Sequence, residues 1–147
     1  MQGAVGIAQL RKIKFILKMQ RTNHDLIWNS IKNIPNVTLR KYPKTSLISA
    51  DALIFLVKNK KIALKCRSEL LKRGISTKIL PEAYTWHFAG EWKHIKELNF
   101  KYKNLKNKFN LSKKYLDRAV SLPISIKMKK NLPNIIKNSI IEAQRGK

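Results

Sequence analysis

Between residues 74 and 92 the chain reads GISTKILPEAYTWHFAGEW, a span that gathers side chains able to hold a polar small molecule. Lys78, Tyr84, Trp86, His87 and Trp92 all fall within it. Aromatic faces cover the apolar sides of a ligand while an imidazole and an ammonium set its orientation, a combination that suits a partly anionic molecule. The same Trp86-His87-Phe88 triplet also suits the lid of a hydrophobic core. Gly74, Pro81 and Gly90 punctuate the backbone, so the span reads as a strand, a turn and a shaped loop.

Nothing else in the chain forms a reacting centre. Cys66, His87, Glu91 and His94 could be grouped as metal ligands, but His-x3-Glu-x2-His lacks the spacing that sets two histidines on one face of a helix. No glycine-rich phosphate cradle is present, and the scattered carboxylates are not paired for acid-base work. What remains is the wall of a binding site, with no catalytic, cofactor-binding or metal-ligating residue, as expected where a cofactor bound elsewhere supplies the chemistry.

The elements that must position this wall follow from periodicity. Residues 1–33 read as one long helix, with apolar positions at Leu10, Ile13, Leu17, Ile27 and Ile31. Its start has no capping residue and carries Gly3, Ala4, Gly6 and Ala8; glycine in a helix costs about 1 kcal/mol against alanine, so this face calls for a close packing partner. Val37 to Tyr42 alternates as a half-exposed strand. Residues 51–57, DALIFLV, read as a central strand buried on both faces. Asn59 can cap a helix over 60–73, with Ile62, Ala63, Cys66, Leu70 and Leu71 facing inward and Gly74 as its left-handed terminus. Residues 75–80 then return as a third strand. Ser112 is expected to cap a short helix, 121–124 to run extended, and 132–143 to form a last helix with Pro133 in its first turn. The order of strands and helices predicts an α+β fold: a short, mainly antiparallel three-stranded sheet backed by helices and preceded by a long N-terminal helix.

A chain of 147 residues can bury a core without staples, and its one cysteine, Cys66, excludes an internal disulfide and reads as a buried apolar group. No apolar run is long enough for a membrane span and no cleavable signal pattern opens the chain, which points to the cytoplasm. The formal charge of +24 has two explanations. One is nucleic acid, best argued from KHIKELNFKYKNLKNKFNLSKK at 93–114, where Phe100, Tyr102 and Phe109 interleave with lysine. The other is a coding bias towards Lys, Asn and Ile. Cations spread along the chain, with lysine far in excess of arginine, favour the second. Ile95, Leu98, Tyr102 and Leu105 then form the apolar underside of an exposed helical arm.

The segment GISTKILPEAYTWHFAGEWKHI resembles the sugar aminotransferases of the DegT and StrS type, closest to the 8-amino-3,8-dideoxy-manno-octulosonate transaminase branch. MQGAVGIAQLRKIKFIL is similar to the family helix that follows the large-domain core, and RAVSLPISIKM to its closing Leu-Pro motif. The resemblance covers nearly the whole chain, but only the C-terminal part of the family. It implies that 1–34 is a helix joining a large domain, and that 35–147 is the small domain of a fold-type I enzyme. It further implies a lipopolysaccharide-sugar role: pyridoxal phosphate (PLP) in the complete enzyme, a homodimer, a keto-sugar substrate and glutamate or glutamine as amino donor. His87, Trp86, Lys78 and Tyr84 would be substrate-binding. The Schiff-base lysine and the aspartate facing the pyridine nitrogen have no counterpart in this sequence, so the chain is expected to be a fragment that neither holds the cofactor tightly nor transaminates alone. The rival reading is a basic, non-enzymatic RNA-binding protein.

Overall fold

The computed structural model describes residues 2–77, 88–102 and 104–145. Among these residues three strands, β1 (Thr38–Leu39), β2 (Ala52–Leu56) and β3 (Ala119–Pro123), pair in the order β1-β2-β3 with every neighbour antiparallel. Leu39 lies opposite Phe55, and Leu53, Ile54 and Phe55 lie opposite Leu122, Ser121 and Val120. Bonds from Arg40 N–H to Ile54 O at 3.0 Å and from Ile124 N–H to Asp51 O at 2.8 Å carry the pairing past the strand ends.

Seven helices appear among the described residues: α1 (Gln2–Leu10), α2 (Ile13–Ile31), α3 (Lys60–Lys72), α4 (Lys96–Lys101), α5 (Leu105–Lys108), α6 (Asn110–Arg118) and α7 (Leu132–Arg145). The core lies on one face of the sheet. Leu53, Phe55 and Val57 of the β2 segment and Val120, Leu122 and Ile124 of the β3 segment meet Ile27 and Ile31 of α2, Ala63, Cys66 and Leu70 of α3, and Ile136 and Ile140 of α7. Removing a side chain of this size from water is worth about 1.5–3 kcal/mol, so this one layer holds the domain together. Hydrogen bonds fix how α2 sits on it. The Asn23 amide, itself buried, donates to Ser125 O at 2.8 Å and Ile126 O at 3.0 Å, and Arg21 Nε donates to Ile48 O at 2.9 Å.

Five local expectations need correction. The helix expected over 1–33 is two helices: Lys12 N–H bonds to Gln9 O at 2.9 Å, a turn-type contact, and Lys12 stands at φ −95°, ψ −6°, away from the regular helical values. Of the third strand expected over 75–80, residues 75–77 are not strand and 78–80 lie outside the described residues; the third described strand is 119–123, where only 121–124 was expected to run extended. Pro123 has no N–H to give to a ladder, and it is accommodated because β3 lies at the edge of the sheet among the described residues and the proline closes it. β2 is fully buried on one face only, since Ala52, Ile54 and Leu56 keep part of their surface in water. Ser112 lies exposed inside α6, which starts two residues earlier without a side-chain cap, and Leu71 points outward.

The expected ends of α3 are observed. Asn59 accepts a bond from Ile62 N–H at 3.0 Å, satisfying one of the first-turn donors. At the other end Gly74 has φ +72°, Ile75 N–H reaches Leu70 O and Gly74 N–H reaches Leu71 O, both at 2.9 Å. This is a Schellman closure, and Ile75 packs on the core as such a closure requires. Pro133 falls in the first turn of α7, where no helical N–H is lost.

Candidate functional site

The span singled out by its chemistry is fixed at both described ends. On the N-terminal side the Gly74 closure sets the direction in which the chain leaves α3, and Ile75 pins it to the core. On the C-terminal side Phe88 is buried, and Ala89–Glu91 form a single 3-10 turn with Glu91 N–H bonded to Phe88 O at 2.9 Å. A Cβ added at Gly90 would run into the Phe88 ring, so only glycine lets the turn fold back on that ring. The Asn99 amide then donates to Ile95 O at 2.8 Å and Lys93 O at 3.0 Å, closing the next turn onto α4.

Lys78, Tyr84, Trp86 and His87, the four residues expected to bind substrate, lie outside the described residues. Trp92 is half-buried just beyond the 3-10 turn. The structure therefore supplies the two attachment points of the wall and places none of its four expected ligand-binding side chains.

The other chemical candidates have definite environments. Burial pushes the Cys66 thiol up to about 12, so it stays protonated at neutral pH and packs as an apolar group inside α3. Among the described residues no three of His, Cys, Asp and Glu come together as a metal site. No described lysine is buried, whereas an amine that condenses with an aldehyde cofactor needs desolvation or a neighbouring charge to lose its proton near neutral pH. The described lysines therefore do not fit a seat for such a cofactor.

The 93–114 stretch forms short helices rather than one arm. Leu105 is buried and Ile95, Leu98 and Tyr102 are half-buried, so the expected underside is present. Tyr102 packs edge-on against Phe109, and Lys101 and Lys108 stand 5.7 Å and 5.4 Å from its ring centre. Phe100 remains as an exposed ring, which is not the row of stacking surfaces that single-stranded nucleic acid uses. Among the described residues no helix is long and apolar enough to cross a membrane.

Residues 1–140 match the DegT/DnrJ/EryC1/StrS aminotransferase family. The structure is similar to Escherichia coli GDP-4-keto-6-deoxy-D-mannose-3-dehydratase with bound hydrated PLP, at 17% identity and a TM-score of 0.65, over 94% of this chain and 34% of that one. It is similar to Helicobacter pylori PseC, an aminotransferase involved in the biosynthesis of pseudoaminic acid, at 19% identity and a TM-score of 0.67, over 97% and 36%. A third is the sugar aminotransferase CalS13 from Micromonospora echinospora, at 16% identity and a TM-score of 0.67, over 95% and 34%. The chain spans about a third of the length of each. At these identities the likeness is one of fold.

Proposed function

Because this chain belongs to the DegT/DnrJ/EryC1/StrS aminotransferase family, we propose that it is the small C-terminal domain of a PLP-dependent enzyme that transfers an amino group to a keto-sugar. The family match over 1–140, running from α1 to the end of the sheet and into α7, is the observation that carries this reading. PLP acts as an electron sink in amino transfer. The described lysines leave its seat to the large domain, and this chain's part is to shape and orient the substrate side of the cleft. His87, Trp86, Lys78 and Tyr84 are assigned that role, with His87 hydrogen-bonding a sugar hydroxyl or carboxylate and Lys78 adding charge.

The finer reading is an eight-carbon sugar acid of the 3-deoxy-octulosonate type, supported by the motif at 74–95, with glutamate or glutamine as amino donor and a cytoplasmic homodimer as the working form. In this reading 1–34 joins the large domain and 35–147 is the small domain. The exposed Val5, Ile7 and Leu10 of α1, next to the uncovered Gly3 and Gly6, support a large-domain partner for that helix.

The test begins with the coding sequence immediately upstream. Where it encodes a lysine-bearing large domain, the two parts are produced as one protein, loaded with PLP and given donor and keto-sugar acid. Formation of the amino sugar together with the donor's 2-oxo acid is the expected result. Amination of a different keto-sugar would remove the octulosonate assignment alone, and no transfer to any keto-sugar would overturn the proposal.

A further inference from the structure

On the sheet face turned away from the core, a cleft of about 760 Å³ opens between β1, β2 and the C-terminal half of α6. Ile54 and Leu56 of β2 and Leu116 of α6 give it an apolar lining. Arg40, Lys41 and Arg118 also line it, and among the described residues no carboxylate does. The nearest acid in sequence, Asp117, lines none of it and is taken by Lys113 at 2.9 Å and Lys60 at 3.7 Å. Arg118 is held in place: its Nε donates to Val57 O at 2.7 Å, which fixes the guanidinium plane and leaves its terminal NH₂ groups for another acceptor. Arg40 is steadied by the Tyr42 ring, 4.8 Å from its central carbon. Tyr115, half in water, brings an aromatic face to the same cleft.

Three cations with no carboxylate beside them among the described lining residues, set against apolar walls, raise the local potential for an anion and favour one with two negative charges. Two guanidinium groups match the oxygens of a phosphate better than ammonium groups would. The apolar lining and the tyrosine leave room for an uncharged body of drug-like size. We propose that this cleft binds a phosphate monoester carried on a flat apolar group. The inference stands apart from the aminotransferase reading, because none of these residues belongs to the 74–92 span.

The experiment is an amide-shift NMR titration of the 147-residue chain with phenyl phosphate at about 0.15 M salt, where diffuse surface attraction is largely screened. Saturable shifts confined to residues 38–41, 54–56 and 115–119 are expected. Arg40→Met and Arg118→Met should each weaken binding by about tenfold or more, as losing a charge-assisted bond does, while Lys14→Met, which removes one charge from an exposed position on α2, should not. Phenol should bind far more weakly than phenyl phosphate. Arg118 also supports the sheet, so the exposed Arg40 variant keeps the test decisive if Arg118→Met fails to fold. Shifts scattered over the lysines without saturation, or equal weakening by Lys14→Met, would overturn the proposal. So would inorganic phosphate binding as tightly as the ester.

Discussion

The ring of Phe88 fills the space that a side chain at Gly90 would need, so these two residues set how the chain leaves the candidate site. Gly90→Ala should cost about 1–3 kcal/mol, the range for forcing one extra carbon into a packed interior. Urea unfolding measures it. In the double variant with Phe88→Leu part of the loss should return, because the smaller side chain vacates the space, whereas strict additivity would show that the two residues do not share it.

Glu69 links to Arg73 and Lys72 on its own helix, and Arg73 also reaches Glu142 on α7. Hydrogen bonds from Lys72 and then Arg73 hold the Glu69 carboxyl down at about 2, against an ordinary value of 4.5. A carboxyl depressed in the folded state binds its proton more readily when unfolded, so its contribution is complete above pH 4.5 and is lost as pH falls towards 2. Acid titration of stability should therefore fall more steeply between those values for the native chain than for Glu69→Gln. Added salt should shrink the difference, since Glu69 is only partly covered and its partner Lys72 stands in water.

Asn23 ties α2 to the segment after β3 through two bonds from one buried amide. Asn23→Ala leaves the carbonyls of Ser125 and Ile126 without that donor and should cost about 1–3 kcal/mol. Amide hydrogen exchange gives a sharper reading than the melting temperature. Protection should drop around 124–126 more than in α3, and a uniform drop would mean that the tie is only part of general packing.

In a complete enzyme built on this domain, His87→Ala should lower kcat/KM for the keto-sugar by about tenfold or more, the scale of one lost hydrogen bond to substrate. Unchanged kcat and KM would reduce His87 to a packing residue.

Both ends of α3 were legible from single residues, Asn59 and Gly74, because capping and left-handed closure are decided within a few positions of the chain. The central strand was legible from its apolar run. β3 was not: Ser121 interrupts its hydrophobic pattern and Pro123 argues against a strand, and what makes it one is the ladder with β2, roughly seventy residues away in sequence. The helix break at Arg11–Lys12 carries neither glycine nor proline to announce it. At the candidate site, the anchoring glycines could be read from the sequence while their purpose could not, since the collision between Gly90 and Phe88 exists only once the turn has formed. The cationic cleft joins residues near 40, 55 and 117, a meeting that no local window contains.

Val5, Ile7, Leu10, Ile13 and Phe15 stand in water along the first two helices of a chain that carries a formal charge of +24. Such a surface is adhesive, and in dilute buffer mutual repulsion between molecules keeps these greasy strips apart. Colloidal behaviour then hangs on ionic strength. At about 1 M salt the screening length shrinks to roughly 3 Å, repulsion no longer reaches across the gap between two molecules, and the chain should self-associate or salt out. Light scattering against salt concentration would show this as a threshold, and Ile7→Lys with Phe15→Lys should push that threshold upward. Whatever its origin, the lysine excess acts on this chain as a solubiliser.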